Sequence, residues 1–273
     1  MNNLIKADLY RTKKYKSLYV VAIVCFVFVL LSALLYRGID FVAQNMIDTS
    51  VPMGDASAGD VSQMLSQTFG SGTALSTAIE ILKSDTLIYS LIAIFIVVSA
   101  LEFSSGTIKN SLTYGIKRKD IYFSKLITSI IYTLFYYIVF FVSAILCSML
   151  VYWQTIPMDS ILDLLFIGLK QLPIYIGIIA AGHCFVFMTQ STVGSVALYI
   201  VSFMIFNTIL PMFNMILGWD MNVTLLFPLY QCIELTNTDI SAINYATIYG
   251  STLVYIELFI WFGYYKFKKS EIK

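Results

Sequence analysis

The chain has 273 residues, 59% of them hydrophobic and 12% charged, with a formal net charge of +1. A soluble domain carries about 25% charged residues, so half that share excludes an ordinary soluble protein and points to a bilayer. No nucleic-acid partner is expected.

In chain order, a basic stretch, "KADLYRTKKYK", precedes the first apolar run, "SLYVVAIVCFVFVLLSALLY" at 17–36. That run is longer than a signal-peptide core of about 7–15 residues, and no clear small-x-small cleavage site follows it. It is expected to be a retained transmembrane helix, because about 20 apolar residues cross a hydrocarbon core of about 30 Å. A Gly/Ser/Thr/Asp-rich segment follows at 37–85, with helical periodicity around Met64, Leu65 and Phe69. Further spans are expected at 86–103, 121–151, 164–188, 193–212 and 245–265. In the fourth, Lys170 and Pro173 interrupt the pattern. Pro173 either kinks one long helix or follows a separate interfacial helix at 160–171. The segment 213–244 is too apolar for a plain loop and too broken by Gly218, Asp220 and Pro228 to span. It is either a pair of short helices dipping into the bilayer, as buried irregular backbone can, or a folded external cap.

Charge sets the expected orientation. With six spans, fourteen of the seventeen Lys and Arg residues fall on one side, leaving Arg37, Lys83 and Lys170 with eleven acids, among them Asp40, Asp55, Asp60, Asp159 and Asp239, on the other. The positive-inside rule then places both termini and the 104–120 segment in the cytoplasm. The fold class is all-α integral membrane.

The basic interruption "EFSSGTIKNSLTYGIKRKD" reads as a two-turn helix of about 12 Å, with Thr107 as N-cap, Ile108 and Leu112 on one face, and Gly115 as terminator. Asp120 is placed to cap the next span. Such a helix is either a handle for a cytosolic partner or a surface helix whose lysines meet lipid phosphates.

The arrangement Glu102-Phe103, Gly106-Thr107, Lys109, Leu112, Gly115, Arg118 and Lys125, between the second and third of six spans, resembles the intracellular loop of bacterial ABC-2 type permeases. The basic 1–16 stretch is similar to that family's elbow helix, and 213–244 to its external re-entrant helices. The resemblance implies that Thr107 to Gly115 form the coupling helix that docks on an ATPase. Glu102 would orient the chain leading into it, with Gly106 and Lys109 within the loop and Lys117 and Arg118 flanking it. It further implies one transmembrane domain over 1–273, two copies of a separate ABC ATPase binding ATP and Mg, and a second permease, identical or homologous. Size and the "KADLYR" opening look most like small permeases of antimicrobial-peptide immunity and drug efflux. The implied cargo is an amphipathic peptide, toxin or drug, exported across a bacterial cytoplasmic membrane. The chain has no G-x-x-x-x-G-K-[ST] motif, so no P-loop nucleotide site is expected in it. No cofactor of its own is expected.

Ionisable residues inside spans are functional hypotheses. His183 and Glu257 fall at similar depths, about 10 and 12 Å by helix rise. They either line a substrate path or dimer seam, or are satisfied locally. Tyr132 and Tyr136 offer a polarisable surface for cargo or ordinary core. Cys25, Cys147, Cys184 and Cys232 show no metal or disulfide spacing, and no enzyme constellation is present. Two rival readings remain: an ion-coupled secondary carrier, for which Glu257 is the one acid available, and a non-transporting immunity or binding protein.

Overall fold

The computed structural model describes residues 2–48, 72–217, 223–237 and 240–270, and all regular structure among them is helical. The described residues form ten helices: α1 Asn2–Lys13, α2 Lys16–Asp48, α3 Ala74–Lys83, α4 Thr86–Ser104, α5 Thr107–Thr113, α6 Arg118–Tyr152, α7 Met158–Thr189, α8 Thr192–Leu217, α9 Pro228–Glu234 and α10 Ala242–Lys269. A 3-10 turn, Val223–Leu226, precedes α9. The periodic Met64, Leu65 and Phe69, with Asp55, Asp60, Gly218, Asp220 and Asp239, lie outside the described residues.

Among the described residues, five helices (α2, α4, α6, α7 and α10) are long and apolar enough to cross a membrane, and the fifth expected span, α8, has a shorter described apolar stretch, Thr192–Ile205. The helices overrun the apolar runs. At about 1.5 Å per residue, the 35 residues of α6 reach about 52 Å, so its ends project past a hydrocarbon core of about 30 Å.

The centre is α7. From Ile174 to Phe187 nearly every side chain is buried, as expected of a helix that is apolar all round, and α4, α6, α8 and α10 all pack on it. The helix runs unbroken through Pro173, so no separate helix exists at 160–171. Proline removes the bond to the Leu169 carbonyl, and neighbours supply compensating donors on either side. The Tyr137 hydroxyl donates to the Gly168 carbonyl at 2.9 Å, and the Tyr249 hydroxyl to the Lys170 carbonyl at 3.1 Å.

Small residues set the helix spacing. A Cβ on Gly182 would sit 2.4 Å from the Phe95 ring, and one on Gly263 would meet Tyr122 Oη at 2.6 Å and the Cys184 backbone at 3.1 Å. Gly263→Ala is therefore expected to push α10 off α7 and to destabilise the bundle by about 1–3 kcal/mol, as overpacking does. A lowered thermal midpoint in detergent is the readout.

At the end opposite α1, α3 begins on a capping box between Thr73 and Ser76. Buried Gln171 ties three elements there: its Nε2 donates to the Cys232 carbonyl at 2.9 Å and the Leu82 carbonyl at 3.4 Å, while Tyr137 donates to its Oε1 at 3.3 Å. Lys170 turns to that same end and donates to Tyr245 Oη at 2.9 Å. Helix α9, opened by Pro228, packs on α7 and α3. Its Gln231 bonds Ser251 and Thr252, about ten residues or ~15 Å inside the start of α10.

Candidate functional site

The α4–α6 connection owes its shape to two glycines. Gly106 adopts φ +69° and occupies the cap of α5. The cap is thus one residue earlier than expected at Thr107, whose hydroxyl instead shares a 2.8 Å bond with Ser105. Gly115, at φ +81°, ends the helix in a Schellman motif: its N–H donates to the Leu112 carbonyl at 3.0 Å, and that of Ile116 to the Ser111 carbonyl at 3.3 Å. Ile108 is buried and anchors α5, while Leu112 and Ile116 are half-buried. Thr107, Lys109, Asn110, Thr113, Gly115 and Lys117 point outward, and Tyr114 is 87% exposed. Helix α5 thus holds an apolar side against the bundle and leaves a polar, aromatic side exposed. Asp120 does not cap α6; Lys117 holds that position and Asp120 lies in the first turn, where its charge suits the helix dipole.

Arg118 does not face outward with the others. Its Nη1 donates to the carbonyls of Phe267 at 2.6 Å, Lys268 at 3.2 Å and Ser270 at 2.7 Å. It therefore neutralises the carbonyl end of α10 and ties the last helix to the start of α6. Lys117, the preceding residue, is exposed.

Beneath α5 lies a buried ionic cluster that joins three elements. Glu102, near the end of α4, and Lys125, in α6, are 5% and 4% exposed. Lys125 Nζ contacts Glu102 Oε1 at 2.5 Å and also pairs with Asp8 of α1. Arg11 of α1 pairs with Glu102, and its Nη2 lies 3.9 Å from Asp8. Two acids and two bases make the cluster neutral, which is what allows it to be buried. Asp8 Oδ2 and Arg11 Nε have no hydrogen-bond partner, so charge pairing rather than full hydrogen bonding holds it together. Glu102 thus clamps the base of the α5 loop to α1 and α6.

The same joint includes a π-turn, Ile96–Ala100, one turn above Glu102. Widened turns of this kind leave carbonyls open. The Val98 carbonyl accepts from Arg11 Nη2 at 3.4 Å, and Ser99 Oγ lies 3.4 Å from His183 Nδ1. His183 Nε2 is 3.3 Å from the Tyr122 carbonyl. A carbonyl only accepts, so Nε2 carries the proton and Nδ1 accepts from Ser99. His183 is fully buried, packed between the rings of Tyr122 and Phe187, and links α4, α6 and α7.

His183 and Glu257 do not meet. Glu257 lies on the exposed stripe of α10 with Val254, Leu258 and Trp261. Tyr132 and Tyr136 make contacts of their own. Tyr132 donates to the Leu9 carbonyl at 3.3 Å and buried Tyr136 to the Leu18 carbonyl, so both fasten α1 and the start of α2 to α6.

Sequence reasoning missed Asp8 and Arg11 as partners, the bridging role of Lys125, and Tyr114. The i, i+3 spacing of Asp8 and Arg11 in "KADLYR" was a visible signal; their partners 91 and 117 residues away had none. Among the described residues no cluster of three His, Cys, Asp or Glu suits a metal, and all four cysteines are buried and free.

The pattern of the ABC-2 family transporter proteins matches residues 4–207, which takes in α1, the ionic cluster, α5 and His183, and stops before α9 and α10. No curated relative matches the chain. A match over three quarters of the length, with the elbow-like α1 and the short helix after α4 inside it, decides the family: the chain is a multi-pass membrane protein that belongs to the ABC-2 family of transporters.

Proposed function

We propose that the chain is the permease subunit of an ABC-2 exporter, driven by ATP hydrolysed in two copies of a separate ATPase that grip α5. The observation that carries this reading is the pairing of an outward-facing α5, with Lys109 and Tyr114 exposed, and a buried ionic cluster that ties the base of α5 to α1. A push on α5 acts on the rigid base at Glu102 and is passed to the elbow and to α6 together. All three elements have to be fastened there for a stroke to reach the spans.

In this reading both termini face the cytoplasm, α9 is the external re-entrant helix, and a second permease, identical or homologous, completes the path. The ~15 Å inset of α9 from the start of α10 supports the re-entrant assignment. The proposed cargo is an amphipathic peptide, toxin or lipophilic drug, and the proposed setting is antimicrobial-peptide immunity or efflux at a bacterial cytoplasmic membrane.

The test is affinity purification of the chain from its native membrane in mild detergent, followed by mass spectrometry. An ATPase with a G-x-x-x-x-G-K-[ST] motif is expected in stoichiometric yield. Combining Lys109→Glu with Tyr114→Ala is expected to lower its recovery at least ~10-fold, since docking energy concentrates in a few aromatic and basic residues. Recovery of the chain alone, with transport intact in ATP-depleted vesicles, sinks the proposal.

A further inference from the structure

Helices α8 and α10 both pack on α7, and a wedge of space is left between them. The 3-10 turn Val223–Leu226, which touches both, closes the wedge at the end that carries α9. Inside is a cavity of about 130 Å³ whose walls include Gly177 and Ala181 of α7, Phe203 of α8, Phe227, and Tyr255 and Phe259 of α10. On the α7 side the small Gly177 and Ala181 alternate with Ile174, Ile178 and Phe185, and a Cβ on Gly177 would reach ordinary contact with Ile256 and Thr252 of α10, at 3.6 and 3.7 Å.

Of the polar side chains at its wall, Gln231 and Thr252 are already engaged, while Ser202 and Tyr255 stand at the rim. Gln231 donates to the Leu225 carbonyl and Ser251 Oγ, at 2.9 and 2.8 Å, and accepts from Thr252 at 3.2 Å. Water therefore finds no partners inside, and an apolar cavity of this size stays dry unless an apolar guest of roughly benzene size fills it. Ser202, Tyr255 and Phe259 are half-buried at the rim, on the side where α8 and α10 part. Thr252 to Phe259 lie about 15–26 Å along a helix about 42 Å long. That is the middle of a bilayer, out of reach of headgroups and at the depth of acyl-chain ends.

We propose that this cavity is a binding site for the terminal segment of a lipid acyl chain, which enters from the bilayer between α8 and α10. The guest completes the packing between two helices that meet mainly through α7, so that α8 and α10 are held together by lipid as well as by protein. The site stands apart from α5, and its occupant is the same lipid whatever the identity of the cargo.

The probe is a phospholipid with a diazirine at the end of one acyl chain, photolysed in native membrane vesicles, with the adducts mapped by mass spectrometry. Adducts are expected on Phe203, Tyr255 and Phe259 several-fold above those on the lipid-facing Leu258 and Trp261. Gly177→Leu and Ser202→Phe, which fill the cavity and block its rim, should each abolish that excess while leaving the Trp261 adducts unchanged, which also shows that α10 remains in the bilayer. A probe with the diazirine beside the headgroup should give no excess. Equal labelling of cavity and stripe, labelling unaffected by either variant, or labelling by a small photoreactive arene but not by the acyl chain would each overturn the proposal.

Discussion

Lys125→Met is expected to lower the stability of the chain by about 3–5 kcal/mol, the usual cost of removing one partner from a buried ion pair. The substitution leaves Asp8, Arg11 and Glu102 with one uncompensated negative charge between α1, α4 and α6. Methionine fills much of the volume, so packing loss is small and charge dominates. Adding Glu102→Gln restores neutrality and keeps Asp8 opposite Arg11, so the double variant should regain a large part of the loss. Unfolding midpoints of the two variants in the same detergent decide the matter. An unchanged midpoint in Lys125→Met means that water reaches the cluster and that it does not hold α1.

Under the proposed function, Gly115→Pro is expected to abolish coupling while leaving the chain inserted and folded. Proline requires φ near −65°, whereas Gly115 sits at +81°, and its N–H donates to Leu112; a clash of this kind costs about 3 kcal/mol or more locally. The cost falls on α5, which lies outside the packed spans, so the bundle is spared and the orientation of Lys109, Tyr114 and Lys117 is lost. Transport and stimulation of the partner ATPase should fall at least ~10-fold, in line with loss of a few docking residues. Gly115→Asn, which tolerates the left-handed region, should retain part of both. Normal transport in Gly115→Pro would remove α5 from the coupling role. Charge reversal distinguishes the neighbours: Lys117→Glu tests docking, whereas Arg118→Glu also releases the carbonyl end of α10.

The two glycines of the α5 loop show how far local reading reaches. Glycine is favoured where φ is positive, so Gly115 was legible as a terminator. Gly106 was passed over for Thr107 because a hydroxyl is the commoner cap. His183 and Glu257 show where such reading stops. Helix rise placed them at similar depths, but depth carries no azimuth, and one points into the core while the other points out. The bonds of Tyr132 and Tyr136 to the backbone of α1 and α2 likewise have no signal in the local sequence.

By itself the sequence determined the membrane class, the order of the helices, the gathering of positive charge around 1–16, 104–120 and the C-terminal tail, and the presence of a short helix after the second apolar run. These follow from terms counted along the chain: apolar length against bilayer thickness, charge near span ends, and glycine at a reversal of φ. Only the tertiary structure decided that Asp8, Arg11, Glu102 and Lys125 neutralise one another, that Arg118 turns inward to α10, and that a cavity remains between α8 and α10. Those outcomes depend on which faces of distant helices meet. Burial makes each charge costly unless its partner arrives from elsewhere in the chain, and no local pattern encodes that arrival.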